Sequence, residues 1–516
     1  MSGTTQRVGG SAASTSVPPT RRAHPRRRRW WLRVDLGTWR PQFSTLLCLL
    51  VLLQFVIPSR MVISGLGAVG RPAVLVGVLL LLLWFLGFLR PPGLPSHPQP
   101  VRWILGAYMA VQYIGYAVGV DRALPEVEAN AADRWMILNL AMVGAALAAS
   151  DGLRTRKDLD RLLKVLVGAA AVMALVGTLQ FFGVIDLTRY IRIPGLSLNA
   201  NLISVGERGS GGGVPRVAGT ANHYIEFGVV LALVLPVALH YALHAPPGWR
   251  RRVYPWSAVA LIAGSVPFAI SRSGTLTLLV SVGILAVVWP WRMRYNALAV
   301  AAVSLIAFRA VNPGVLGTIR ALFASAEHDP SIQNRLSDIG YVMELWAMRP
   351  WWGRGAGTYV TTIGSYTSEP YLLLDNQLFM TLVTGGVVGL VALVLLFAGP
   401  YLMARSVRLR GSDQEARHLG QALAAIMPAA LLATATFDSF SFATFVTVVF
   451  VTVGAIGALW RLEAMSPARP LQAAAPGDTL VATPLGAGWG ARAFEAATAM
   501  IAARWPRVHS RGSGRK

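Results

Sequence analysis

The stretch DNQLFMTLVTGGVVGLVALVLLFAGP, residues 375–400, decides the class of fold. It opens an apolar run, 376 to 402, without an acidic or basic side chain. A helix of that length can cross a hydrocarbon core about 30 Å thick. Comparable runs lie at 43 to 57, 72 to 89, 103 to 119, 135 to 149, 162 to 183, 223 to 243, 256 to 270, 273 to 289, 296 to 309, 419 to 434 and 437 to 459. Together they predict an all-α integral membrane protein with about twelve transmembrane helices. The composition agrees: 54% of the 516 residues are hydrophobic, 14% are charged, and the mean hydropathy is +0.52. A soluble enzyme is excluded. Cys48 is the single cysteine, which excludes an internal disulfide and a cysteine-based metal site.

The net charge of +24 suggests, by itself, a nucleic-acid or anionic-lipid partner. Its distribution argues for lipid. If residues 1–42 are cytoplasmic, the segments on that side hold 33 of the 47 Lys and Arg residues, and the outer segments hold 14. The inner loops are short and basic, as the positive-inside rule requires, and an even helix count puts both termini in the cytoplasm. The leader before the first run, with Arg26 to Arg29, is too long and too basic for a cleaved signal peptide, so the first helix is expected to stay as an anchor. Residues 1–42 and 461–516 read as disordered tails flanking a membrane domain, 43–460.

Two outer loops, about 184–222 and 310–375, exceed connector length. The first contains the glycine stretch GERGSGGGVPR. The second contains SIQNRLSDIGYVMELWAMRP, predicted to form a helix whose apolar face is Ile332, Leu336, Ile339, Val342, Met343, Trp346 and Ala347, ended by Arg349-Pro350. This helix is expected to lie on the membrane surface or to cap the bundle.

Arginine at a membrane edge is costly unless it meets an anion or an acid, which singles out Arg216, Arg272 and Arg335. Their forked donors suit phosphate oxygens, although each also reads as a side chain that reaches for the interface. Asp375 and Asn376 read as helix N-caps, or Asp375 as a general base. His223 and Glu226, one turn apart, can pair, whereas a metal site there lacks further ligands at suitable spacing. GRGAG, 353–357, lacks the rest of a phosphate loop and reads as a turn out of the surface helix. GGVVG, 385–389, reads as a site of close helix packing. Trp346, Trp351, Trp352, Tyr359 and Tyr366 fit an interfacial aromatic belt or a sugar-stacking surface.

Four segments in order carry a family resemblance: RVAGTANHY (216–224), SRSGT (271–275), NRLSDIGYVMELWAMRPWWGRGAGTY (334–359) and DNQLFMTLVTGGVVG (375–389). With them the chain, over roughly residues 40–460, resembles the O-antigen ligase and polymerase superfamily of membrane glycosyltransferases. The spacing from Asn376 to Gly386 and Gly389 matches that family's pattern, while Asp375 stands where the family usually has His. The resemblance implies transfer of a glycan from a polyprenyl diphosphate to an acceptor hydroxyl at the outer face of the cytoplasmic membrane, with inversion and without a cofactor, metal or nucleotide sugar. It implies an Arg216, Arg272 and Arg335 clamp on the diphosphate and Asp375 as proton acceptor, with Asn376 orienting it or the sugar. Asn222 and His223 would belong to the substrate site, and Trp351, Trp352 and Tyr359 would cover the glycan. The partners are then the lipid-linked donor, a glycan or glycolipid acceptor and membrane lipids, and no nucleic acid. A repeat-unit polymerase, a transporter and an inactive scaffold are the competing readings. Repeat symmetry and matched broken helices, the marks of transporters, are not evident in the sequence.

Overall fold

Each of the twelve apolar runs falls on a helix in the computed structural model, which describes residues 2–3, 42–89, 99–198, 216–311, 330–360 and 374–465. The α-helices are α1 Phe43–Val56, α2 Pro72–Leu89, α3 Pro100–Val120, α4 Glu126–Gly152, α5 Arg156–Phe181, α6 Tyr224–Leu243, α7 Trp249–Ser265, α8 Arg272–Ala286, α9 Trp291–Val311, α10 Pro330–Met348, α11 Gln377–Arg410, α12 Gln414–Thr434 and α13 Ala443–Met465. Six of them, α3, α4, α5, α6, α11 and α13, are long and apolar enough to cross a membrane, and α1, most of α2 and α8 are shorter apolar helices. The protein is thus a mostly helical integral membrane protein. Residues 4–41 and 466–516 of the two tails and the glycine stretch before Arg216 lie outside the described residues, as does Tyr366, whereas residues 461–465, read from the sequence as tail, continue α13.

Local chemistry fixes the helix starts. Thr155 and Asp158 form a reciprocal capping box at α5, and Asp413 accepts from Ala416 N to start α12. The helices α6 and α13 are enclosed by their neighbours along most of their length. Lipid is as apolar as leucine, so such packing relies on close fit more than on expulsion of water. At the crossing of α6 and α8, a Cβ on Gly274 would stand 3.2 Å from the backbone of Gly228. Small residues let the two backbones nearly touch there.

Three expectations need correction. The fold is not purely α: β1, Met61–Ile63, pairs antiparallel with β2, Leu196–Leu198, with Met61 opposite Leu198. The α10 helix forms where expected, but Asp338, Val342 and Leu345 face inward while Ile339, Met343 and Ala347 are exposed. Hydrophobicity alone misplaced that face because Asp338 and Leu345 join the packed side. The third concerns GGVVG.

That motif does not only permit close packing; it breaks a helix. Gly386 has φ 63° and ψ −162° inside α11, conformations open essentially to glycine alone. The break frees backbone groups, and the turn that follows α10 satisfies them. Val387 N and Val388 N donate to Pro350 O and Trp351 O at 2.9 and 3.2 Å, and Arg354 N and Gly355 N donate to Val383 O and Thr384 O, each at 2.9 Å. Irregular backbone at membrane depth is tolerated only where it is buried and paired in this way. The GRGAG segment is therefore a turn, as expected, spliced into the interrupted helix.

Candidate functional site

Four chain segments meet at the end of the bundle where α6, α8, α11 and α13 begin. The first is RVAGTANHY. Val217 N donates to Phe268 O at 3.5 Å, Thr220 Oγ1 donates to Phe55 O, and Ser59 N donates to Thr220 O at 2.9 Å. These bonds hold Arg216 beside the segment that leads into α8. There Ile270 adopts a left-handed φ of 44°, and Ser271 caps Gly274 N, so that Arg272 opens the helix. A β-branched residue in that conformation is strained, which marks a backbone held by its surroundings. The two arginines, 56 positions apart by their numbers, thus share one end of the fold.

Arg216 is half-buried. Its guanidinium donates to the Tyr224 hydroxyl at 3.0 Å and lies 4.9 Å from that ring's centre. His223 caps α6 by accepting from Ile225 N at 3.2 Å, and burial, aided by the positive charge of Arg216, lowers its pKa to about 4. The expected His223–Glu226 pair does not form. The Glu226 carboxylate is fully buried and accepts instead from Asn222 N at 2.8 Å, Thr444 N at 2.7 Å and Phe445 N at 3.3 Å. It ties the start of α6 to the start of α13 because its oxygens point toward donors that those two helix ends leave open.

The helix α11 begins at Asn376, whose Oδ1 accepts from Leu378 N at 2.9 Å and Phe379 N at 3.3 Å. Asn376 is thus the cap, and Asp375, one residue earlier, is exposed. Facing it is a second carboxyl group, which the sequence reading did not single out. Asp438 lies in the turn between α12 and α13. Burial, opposed by a hydrogen bond from Ser441 and assisted by repulsion from Asp375, pushes Asp438 up to about 7. The backbone fixes the approach of the two segments: Gln377 N donates to Phe437 O at 3.2 Å, and Phe440 N donates to Gln377 Oε1 at 3.0 Å. Phe442, on the same turn, lies tilted against His223 with 5.8 Å between ring centres, which joins the Asp438 turn to the Arg216 segment.

Beside this junction is a cavity of about 260 Å³, with Arg71, Arg134, Asn139, Tyr359, Gln377 and Ser441 among its walls. Arg71 is buried and donates through Nε to Ser59 O at 3.1 Å. Tyr359 is half-buried and its hydroxyl pKa is raised, first by burial and then by the nearby Tyr341. Trp351 is exposed on the turn and Trp352 half-buried. Arg335 lies in α10, and its side chain is outside the described residues. Arg71 and Asp438 escaped the sequence reading because neither sits in a motif; only the fold brings them to the others. An arginine just before an apolar run and an aspartate at the start of the last one were the available signals.

The fold and this end of it define a class: a polytopic helical protein of the membrane with cationic and carboxyl groups gathered where several helices begin. Residues 257–394 match the O-antigen ligase family model. The matched region includes Arg272, Arg335, the turn at 353–357 and the interrupted α11, whereas Arg216 precedes it. Three of the four motifs that carry the resemblance to the O-antigen ligase and polymerase families lie within the match, and RVAGTANHY lies before it. No curated protein matches the chain.

Proposed function

We propose that the protein is a ligase that transfers a glycan from a polyprenyl diphosphate in the outer leaflet of the cytoplasmic membrane to an acceptor hydroxyl. The observation that carries this reading is the juxtaposition of the Asp375–Asp438 carboxyl pair with the Arg216 and Arg272 end of the fold, beside a cavity with Arg71, Arg134 and Gln377 among its otherwise largely apolar walls. In the reaction the acceptor oxygen attacks the anomeric carbon, the bond from that carbon to the diphosphate oxygen breaks, and the sugar inverts. Negative charge grows on the leaving diphosphate, where Arg216 and Arg272, with Arg335 from α10, stabilise it. Asp438 retains a proton up to about pH 7, which leaves Asp375 as the ionised member of the pair and the acceptor of the hydroxyl proton. Asn376 fixes the start of α11 and hence the position of Asp375. Trp351, Trp352 and Tyr359 provide faces against which sugar rings stack, and Asn222 and His223 complete the wall on the α6 side. The about twelve helices run with both termini in the cytoplasm and the long loops outside.

Polymerisation of lipid-linked repeat units uses the same chemistry, with a second lipid-linked glycan as acceptor. A transporter is the reading from another class, and the interrupted α11 is a device that transporters also use. The test is reconstitution in nanodiscs with a polyprenyl-diphosphate-linked oligosaccharide and candidate acceptors, for wild type, Arg272→Ala and Asp375→Asn. Transfer by the wild type that both variants lose is expected. Chain extension of the donor itself selects the polymerase, lipid movement in vesicles without transfer selects the transporter, and full turnover by both variants refutes the site.

A further inference from the structure

A second cluster lies at the far end of α6. Three of the eight histidines converge there from two helices distant in sequence. His240 is fully buried in the last turn of α6, His244 caps that helix, and His418 is in the first turns of α12. One ring nitrogen from each lies within 4.8 Å of the others, and the ring centres are 4.7 to 5.2 Å apart. Neither the proposed transfer chemistry nor the family match uses them.

The hydrogen bonds around the rings set their protons. His244 Nδ1 stands 2.9 Å from the His240 carbonyl oxygen, so Nδ1 carries the proton and Nε2 offers a lone pair. His418 Nε2 accepts from the Trp289 indole at 3.3 Å, so its proton is on Nδ1, which donates to His240 Nδ1 at 3.0 Å. His240 then holds its proton on Nε2, a buried nitrogen with no hydrogen-bond partner. The 3.0 Å separation of the two Nδ1 atoms is close to the spacing of neighbouring ligands on a metal with bonds of about 2.0–2.1 Å.

We propose that His240, His244 and His418 bind one divalent transition metal of the zinc class, which staples the end of α6 to the start of α12. Three imidazoles favour a borderline ion over calcium or magnesium, which prefer oxygen. The metal takes the place of the proton between His240 Nδ1 and His418 Nδ1, and that proton moves, by way of solvent, to His418 Nε2, so that the ring stays neutral and gives up the long indole contact. The His244 Nδ1 bond to a backbone carbonyl is the kind of outer contact that fixes a metal-bound ring. Arg156 and Lys164 bring positive charge nearby, and Asp160 and Glu415 answer it. The Tyr241 hydroxyl donates to Asp160 at 2.9 Å, and Arg156 reaches Asp160 at 3.1 Å and Glu415 at 3.9 Å.

The test uses the full chain, purified without a histidine tag, stripped with chelator and dialysed against micromolar Zn(II). One zinc per chain by mass spectrometry is expected, with a rise in thermal midpoint, and Co(II) in its place should give the visible bands of a four-coordinate ion. His244→Gln and His418→Gln, at half-buried positions, should each weaken Zn(II) binding by more than roughly 10- to 100-fold. His418→Cys keeps a ligand and should still bind. Monodisperse elution of each variant shows that it folds. Wild type that retains no zinc, or folded glutamine variants that retain as much as wild type, overturns the proposal.

Discussion

Replacing Gly386 by alanine should uncouple the 350–358 turn from α11. At φ 63° and ψ −162°, a side chain costs about 1–3 kcal/mol before any contact is counted. The new Cβ would lie 2.4 Å from Trp351 C and O and 2.7 Å from Pro350 O, so the turn must move. These atoms are not flexible side-chain ends. They belong to the backbone that accepts from Val387 N and Val388 N. Displacement of about 1 Å loses those two bonds and the two from Arg354 N and Gly355 N, roughly 1 kcal/mol each in net terms. The total, about 5–7 kcal/mol, is comparable with the whole stability of many folded domains. The neighbouring glycine is the control: a Cβ on Gly385 meets nothing nearer than Thr381 Cγ2 at 4.0 Å, so Gly385→Ala should be neutral or slightly stabilising. The assay is thermal unfolding in nanodiscs, joined with tryptic cleavage after Arg354. Gly386→Ala should unfold at much lower temperature and be cut faster. Equal stability and equal cleavage of the two variants would refute the account of the interrupted helix.

Arg272→Ala should lower glycan transfer by roughly 10²- to 10³-fold, the range for loss of one group that stabilises developing charge, as measured by product formation under saturating donor. Asp438 is raised from its ordinary 3.8 to about 7, so between those pH values the native state keeps a proton that the unfolded chain releases, and stability falls as pH rises. Asp438→Asn should remove that fall, at most roughly 4 kcal/mol, and flatten the thermal midpoint from pH 4 to 7. His223, lowered from 6.5 to about 4, acts in the opposite sense: the unfolded chain binds the proton first, so stability falls as pH drops through that interval. His223→Gln should remove up to roughly 3 kcal/mol of that acid sensitivity, provided the chain is compared in the same nanodiscs.

The sequence was most legible where one physical rule acts alone. Apolar runs had to become helices, and each of the twelve does. Legibility fell where backbone pairing decided the outcome. The three glycines of GGVVG look alike in sequence, yet only Gly386 takes the positive φ, because only there do Pro350 and Trp351 offer acceptors to the freed amides. The α10 face was read only in part: Val342 packs against Leu374 and Val383 as its apolar character suggested, but Leu345 joins it there while Ile339 and Met343 stay exposed. Glu226 was paired on paper with the residue one turn before it. In the fold its acceptors meet amides 218 and 219 positions away, which no local pattern encodes.

The same distinction explains the candidate site. Asp375 announces itself beside a recognisable helix start, yet on the proposed reading its chemistry depends on Asp438, whose turn is anchored to the backbone amide of Gln377 at one end and to its side-chain oxygen at the other. A lone exposed carboxylate has no reason to hold an unusual proton affinity. Two carboxyl groups that repel each other, one exposed and one half-buried, cannot ionise with equal ease, and the less exposed member keeps its proton longer. The substitution of aspartate for the family's usual histidine at 375 is therefore not an isolated change of base. On the proposed reading the proton chemistry lies in a pair, and Asp438→Asn, which keeps the partner neutral at every pH while preserving its shape, should change the pH dependence of transfer, where Asp375→Asn abolishes transfer.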